Sequence, residues 1–298
     1  MPGRIIRVFR FCLWVVLGAA VPAAAISVPG GAAQNAVARG AYLFAAAGCA
    51  SCHTRVKPKG RPLAGGRRLD TPFGAFYPPN ITPDPGHGIG RWELADFIRA
   101  MRQGRGPDGT LYFPAFPYPS YSGISDADLG DLWAFLRTVP AVAVTGPGHD
   151  LDFPFNLRVL VWPWRWLYFE PGVWRPDPNR SARWNRGAYL VRAVGHCGEC
   201  HTPRSLLGGV DPDRELGGNP KGPEGKRVAN ITPHRKKGIG DWSESDIASY
   251  LLDGGLPDGD LASGAMVEVI EDSTSRLTES DRRAIARYLK SVPPQDGN

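Results

Sequence analysis

The pentapeptides Cys49-Ala50-Ser51-Cys52-His53 and Cys197-Gly198-Glu199-Cys200-His201 constrain this chain more than any other feature. Two cysteines three residues apart reach the two vinyl groups of one porphyrin as thioethers, and the adjoining His faces the iron as an axial ligand. A bare Cys-x-x-Cys could be a redox dithiol or half of a zinc site. Zinc, however, needs the four thiols to converge and leaves both histidines without a role. Two covalently attached haem c groups are therefore the expected cofactors, held by Cys49, Cys52, Cys197 and Cys200, with His53 and His201 as proximal iron ligands. Those motifs use four of the five cysteines, so no disulfide framework remains.

Each motif sits in a copy of one longer pattern. Arg39-Gly40-Ala41-Tyr42-Leu43 returns as Arg186-Gly187-Ala188-Tyr189-Leu190, each about one helix length ahead of a haem motif. Asn80-Ile81-Thr82-Pro83 matches Asn230-Ile231-Thr232-Pro233, Trp92 matches Trp242, and Pro107-Asp108-Gly109 matches Pro257-Asp258-Gly259, all at an offset of 150. Two copies argue for duplication and against a solenoid, which needs at least three. Asn35 and Ser181 are candidate N-caps for the helices entering the motifs. Ser125 to Asp128 and Thr278 to Asp281 resemble capping boxes that open closing helices. Leu129, Leu132, Trp133 and Leu136 form one apolar face of the first closing helix, and Ala284, Ile285, Tyr288 and Leu289 supply the second. Gly40 and Gly187 would let opening and closing helices approach closely. The predicted fold is all-α: two tandem class I cytochrome c domains over 34–140 and 181–298, joined by an aromatic, Pro-rich connector over 141–180.

Residues 1–33 have the layout of a secretory signal peptide, with Arg4, Arg7 and Arg10 ahead of the apolar run Phe11 to Ala20 and small residues beyond it. An uncleaved membrane anchor is the competing reading, because no charged residue occurs from Phe11 to Ala38. Export fits haem c, which is attached outside the cytoplasm, and points to the periplasm. Half of the formal net charge of +6 comes from those leader arginines. The remaining basic residues are scattered among acids, which speaks against nucleic-acid binding.

The connector carries Trp162, Trp164, Trp166, Tyr168, Phe169 and Trp174. Packing between the two domains is the plainer expectation; a docking surface for a partner protein or the membrane interface is the sharper one. The sixth iron ligand separates the two copies. Met266 is the candidate for the second haem, in the loop before the final helix, with core filling as the alternative. The same offset lands on Phe116, which cannot bind iron. His149 leads the candidate substitutes, ahead of His87 and Met101; a five-coordinate iron capped by Phe116 and a local slip of the alignment are the other readings.

Taken together, these residues resemble the multihaem cytochrome c subunits of periplasm-facing, membrane-associated bacterial dehydrogenases for alcohols, gluconate and sugars. The resemblance runs from about Arg39 to Pro293. It rests on Arg-Gly-Ala-Tyr-Leu before each haem motif, on Asn80-Ile81-Thr82-Pro83 with its Gly-Ile-Gly-x-Trp continuation, and on Phe153-Pro154-Phe155-Asn156. It implies electron transfer from a partner dehydrogenase towards quinone, another cytochrome or an oxidase. Three-haem members carry a further haem domain without a counterpart here, and members commonly place a ligand Met where Phe116 stands. Trp92 and Trp242 are candidates for haem propionate donors or for packing. A dihaem peroxidase using an open iron at the first haem is the alternative function, weakened by the lack of acid–base groups in that loop. Ligand sensing is a third, without an output domain.

Overall fold

The structure is a computed structural model that describes residues 30–297 apart from 57, 223 and 224. The leader's apolar run and Cys12 lie outside the described residues.

Eleven helices are named along the described chain: α1 (Gly30–Ala46), α2 (Cys49–His53), α3 (Leu94–Gln103), α4 (Tyr118–Tyr121), α5 (Asp126–Leu136), α6 (Val161–Tyr168), α7 (Ala182–Tyr189), α8 (Gly198–His201), α9 (Glu244–Asp253), α10 (Ala265–Asp272) and α11 (Glu279–Leu289). A wider π-turn over Leu190–Val194 extends α7. The all-α expectation needs one correction. Three short antiparallel strands, β1 (Leu69–Thr71), β2 (Gly74–Phe76) and β3 (Asp150–Leu151), form a sheet in the order β1-β2-β3. β3 belongs to the connector, which therefore folds back onto the first half through the pairs Gly74 with Leu151 and Ala75 with Asp150.

The two halves repeat the same helix pair. α1 packs on α5, and α7 packs on α11. A Cβ at Gly40 would lie 1.9 Å from the Asp131 carbonyl oxygen, and one at Gly187 would lie 1.9 Å from that of Ala284. Both contacts are far inside van der Waals distance, so the glycines set how closely the helices cross. Leu129, Leu132 and Leu136 are buried in the first half; Ala284, Ile285, Tyr288 and Leu289 are buried in the second.

The capping expectations hold in part. Ser125, Ser181 and Thr278 cap α5, α7 and α11, their hydroxyls accepting from Asp128 N, Trp184 N and Asp281 N. Asn35 does not cap, because α1 already runs from Gly30. Reciprocal boxes form instead at Glu93 with Asp96 and at Ser243 with Asp246. Asp128 and Asp281 are engaged elsewhere: Tyr189 donates its hydroxyl to Asp128 at 2.5 Å, and Tyr42 donates to Asp281 at 2.6 Å. Each repeated Tyr thus reaches across to the closing helix of the other half, while each repeated Arg grips its own, Arg39 on Asp131 and Arg186 on Asp281. The two Tyr bonds are reciprocal, each tying one half to the closing helix of the other.

The expectation that the connector rings pack between the halves fails for two of them. Trp164, Tyr168, Phe169 and Trp174 are half-buried, but Trp162 and Trp166 are 56% and 85% exposed. No helix among the described residues is long and apolar enough to cross a membrane.

Candidate haem sites

Both histidines of the repeated motifs are oriented in the same way. His53 Nδ1 lies 2.8 Å from the Pro79 carbonyl oxygen, and His201 Nδ1 lies 2.7 Å from that of Ala229. A carbonyl can only accept, so each Nδ1 carries the proton and each Nε2 keeps its lone pair. That is the tautomer an iron ligand requires, fixed by an outer-shell hydrogen bond.

The Asn-Ile-Thr-Pro repeat explains how those carbonyls arrive. Asn80 Oδ1 accepts from Thr82 N at 2.8 Å and from Thr82 Oγ1 at 2.7 Å; Asn230 and Thr232 reproduce both bonds at the same distances. The closed turn presents the carbonyl just before each Asn to the imidazole. Asn80 Nδ2 also donates to the carbonyls of Val142 and Val144, and Asn230 Nδ2 to that of Gln295, so the chain beyond each closing helix straps the turn down. All four Asn and Thr side chains are buried. Gly65 and Gly218 complete the arrangement. Each takes a positive φ and donates its N–H to the backbone oxygen of the motif His at 2.8 Å. A Cβ on Gly65 would strike the Pro78 oxygen at 2.5 Å.

Burial pushes the pKa of His53 and of His201 below the usual imidazole range, which keeps both neutral and able to coordinate. Each ring is thus neutral with its Nε2 lone pair free, which is the donor a haem iron takes. Burial pushes the thiols of Cys49 and Cys197 up to about 12 and that of Cys200 to about 11, so as free groups they would be poor thiolates. Among the described residues no three His, Cys, Asp or Glu side chains converge where a metal ion could sit, and all four motif thiols are unpaired. A zinc site and a redox dithiol both lose support, whereas thioether formation needs neither convergence nor a thiolate.

The two motifs are neighbours. Cys52 lies close enough to Cys200 to help raise its pKa. The second variable residue of each motif bonds to the distal segment of the other half: Ser51 donates to Asp272 on α10 at 3.3 Å, and Ser120 on α4 donates to Glu199 at 2.9 Å. Arg67 adds a salt bridge to Glu268, also on α10, and donates to the Ser51 carbonyl.

On the distal side the copies diverge. Met266 lies on the first turn of α10 and not in a loop, half-buried and packed against the core. Phe116 packs on Tyr121 and Tyr112, with ring centroids 5.7 and 6.0 Å away. His149 is brought back by the connector, as the sequence suggested, but its chemistry opposes ligation. Its Nδ1 accepts the Tyr77 N–H at 3.1 Å, which puts the proton on Nε2 and leaves no lone pair for iron. Its ring rests on Phe76 and Phe113. Of the other substitutes, Met101 is buried in the core, while His87 sits exposed on its own turn with Nδ1 2.9 Å from Asp84, a contact that leaves its Nε2 free.

Sequence reasoning missed His196. It precedes the second motif where Gly48 precedes the first; both take a positive φ, 42° and 60°. Its ring lies 5.2 Å from that of Tyr121, and its buried Nδ1 has no partner among the described residues. The signal was available in the alignment of the two motifs, which sets a His opposite a Gly.

Comparison with known proteins agrees with this chemistry. The cytochrome c family model matches residues 37–140. A diheme cytochrome c-type protein of Cereibacter sphaeroides is 48% identical over 259 residues, covering 86% of this chain and 85% of that protein. A nicotinate dehydrogenase subunit of Pseudomonas putida is 43% identical over 85% of this chain but only 21% of its own length. The fructose dehydrogenase cytochrome subunit of Gluconobacter japonicus is 40% identical over 89% of this chain and 54% of its own. This chain therefore belongs to the cytochrome c family, in its dihaem branch, and its cofactors are two covalently bound haem c groups. It spans about half the length of the fructose dehydrogenase protein and about a fifth of the nicotinate dehydrogenase one.

Proposed function

We propose that this chain is a periplasmic dihaem cytochrome c that accepts electrons from a partner dehydrogenase and passes them towards quinone, another cytochrome or an oxidase. The observation that carries the reading is the pair of neutral, Nδ1-anchored imidazoles, His53 and His201, each adjoining its own two free motif cysteines. Cys49 and Cys52 hold the first haem and Cys197 and Cys200 the second, in two tandem class I domains, residues 34–140 and 181–298, with 141–180 as connector. Residues 1–33 serve as the export signal. Haem supplies a one-electron iron couple, and the protein sets its ligands, its exposure and its distance to the next centre.

Each part of the chain has a defined task in that reading. His53 and His201 supply the proximal nitrogen, with Pro79 and Ala229 fixing the ring. Met266 would offer a thioether sulfur to the second haem, and such a ligand raises the potential relative to a bis-nitrogen site. Phe116 offers no donor atom at the position matching Met266, so the two centres would differ in ligation and hence in potential. The contacts of Ser51 with Asp272 and of Ser120 with Glu199 tie each motif to the other half, which supports exchange between the two haem centres. The relatives named for nicotinate and fructose dehydrogenases support a dehydrogenase as the donor.

Rapid mixing of the oxidised holoprotein with candidate dehydrogenases and their substrates is the test. Reduction of both haems within the turnover time of the donor is expected. Slow reduction by every donor, combined with peroxide turnover, would transfer the assignment to the peroxidase alternative that the donor-free Phe116 position motivates.

A further inference from the structure

We propose that α6 and the adjoining 205–208 turn form a face that docks onto the headgroup region of an anionic lipid bilayer. This face is separate from the haem sites, and the proposal does not depend on the identity of the electron donor.

Helix α6 is amphipathic in an unusual sense, because its outward stripe is the apolar one. Val159, Trp162 and Trp166 follow one another at spacings of three and four residues and are 67%, 56% and 85% exposed. Trp164 and Tyr168, also four apart, turn inward: Trp164 Nε1 donates to the Leu207 carbonyl at 2.9 Å, and Ser205 Oγ donates to the Tyr168 hydroxyl at 3.1 Å. These bonds attach the 205–208 turn to the helix and place Leu206, 96% exposed, beside it. Exposed apolar patches that are contiguous call for a partner, whereas single exposed residues do not.

Charge and shape favour lipid over protein. Phe153 to Phe169 carries Arg158 and Arg165 and no Asp or Glu, with the exposed Asp152 and Glu170 confined to its two ends. Their guanidinium groups are held by the carbonyls of Leu111 and Gln103, each at 2.6 Å, and stack over Phe113 and over Tyr118 and Phe169. Asp108 senses Arg158 electrostatically without pairing to it. The positive charge therefore stays available to an anionic surface. Trp166 and Leu206 project almost free of their neighbours, and Trp162 carries the Arg105 guanidinium over its ring at 5.7 Å; such side chains need a matching pocket in a protein partner, but a fluid interface accepts them in any arrangement. Tryptophan is the residue most at home there, with its apolar ring buried and its N–H at the headgroups. The geometry is that of an interfacial anchor lying on one leaflet.

The test is co-sedimentation of the full-length holoprotein with vesicles, read by haem absorbance. One set of vesicles is phosphatidylcholine alone, and the other contains about 30% phosphatidylglycerol to supply anionic charge. The expected result is preferential, salt-weakened binding to the anionic vesicles, reduced at least about tenfold by Trp162→Ser with Trp166→Ser and less by Leu206→Ser. Wild type and variants are identical outside the substituted positions, so the difference isolates the α6 face. Exposed positions tolerate substitution, and unchanged thermal unfolding of the variants confirms that the fold is intact. Absence of wild-type binding to either vesicle, or equal binding by wild type and double variant, overturns the proposal. Unchanged vesicle binding with slowed reduction by a dehydrogenase also overturns it and assigns the face to a protein partner.

Discussion

Replacing Asn80 by Ala is the sharpest probe of how this chain holds its first haem. The carboxamide makes four hydrogen bonds, at 2.8 and 2.7 Å to Thr82 and at 2.7 and 3.0 Å to the carbonyls of Val142 and Val144, from a side chain only 4% exposed. Truncation leaves the buried Thr82 N–H and hydroxyl without their acceptor and the Val144 carbonyl without its donor, whereas the Val142 carbonyl keeps the Val144 N–H at 3.0 Å. Each neutral bond contributes about 1 kcal/mol net and each buried group left unsatisfied costs about 1–3 kcal/mol. Part of that cost is relieved by water reaching the half-open Val144 side, so a loss of about 3 kcal/mol is expected. In a chain of this size it corresponds to a fall in Tm on the order of 10 °C. The turn that presents Pro79 to His53 also loosens, so the ligand field of the first haem changes while that of the second does not. Guanidinium unfolding followed by far-ultraviolet circular dichroism measures the first effect. Electron paramagnetic resonance, which resolves the two irons separately, measures the second. Asn230→Ala is the matched variant and shifts only the second haem. A stability loss below about 1 kcal/mol, or an equal spectral change at both haems, would refute the role given to the Asn turn.

Two further outcomes follow from other contacts. Burial alone would raise the Asp281 carboxyl, but the hydrogen bonds from Arg186 and Tyr42 outweigh it and hold the group below the usual range. Its contribution to stability is complete above the unfolded carboxylate value, about 3.9, and is lost as the pH falls through the lower folded value. Asp281→Asn should lower Tm at neutral pH and flatten its decline between about pH 5 and 3, in thermal scans across that range. Phe116→Met, in turn, places a thioether where the repeat has Met266. It should convert the first haem to a low-spin, higher-potential centre in magnetic circular dichroism and redox titration. A first haem that is already low-spin in the wild type would remove the premise.

The chemistry-bearing residues were legible because covalent haem attachment demands a contiguous pattern, and the duplicated Asn-Ile-Thr-Pro and Arg-Gly-Ala-Tyr-Leu segments announced their partners by repetition. Gly40 and Gly187 were readable as helix contacts for the same reason. What failed depended on atoms far apart in sequence. Asn35 looked like a cap, yet α1 begins five residues earlier. The β3 strand carries no strand signal of its own, since two residues are recruited by β2. Met266 sits in a helix whose start at Gly264, with φ 63°, no periodicity predicts.

His149 illustrates the limit best. Its position in the chain rightly suggested that it could be carried back over the first half, but the Tyr77 N–H that fixes its tautomer lies 72 residues away. Sequence alone pointed to two haems and to the cysteines and histidines proposed to hold them, and it set a methionine in the second copy opposite a phenylalanine in the first, because those are properties of residues in fixed local spacing. The fold decided the rest: the tautomers of the imidazoles, the crossed Tyr42 and Tyr189 bonds that lock the halves, the closeness of the two motifs and the outward turn of Trp162 and Trp166. Each of those depends on which distant group occupies the space beside a side chain, and only packing settles that.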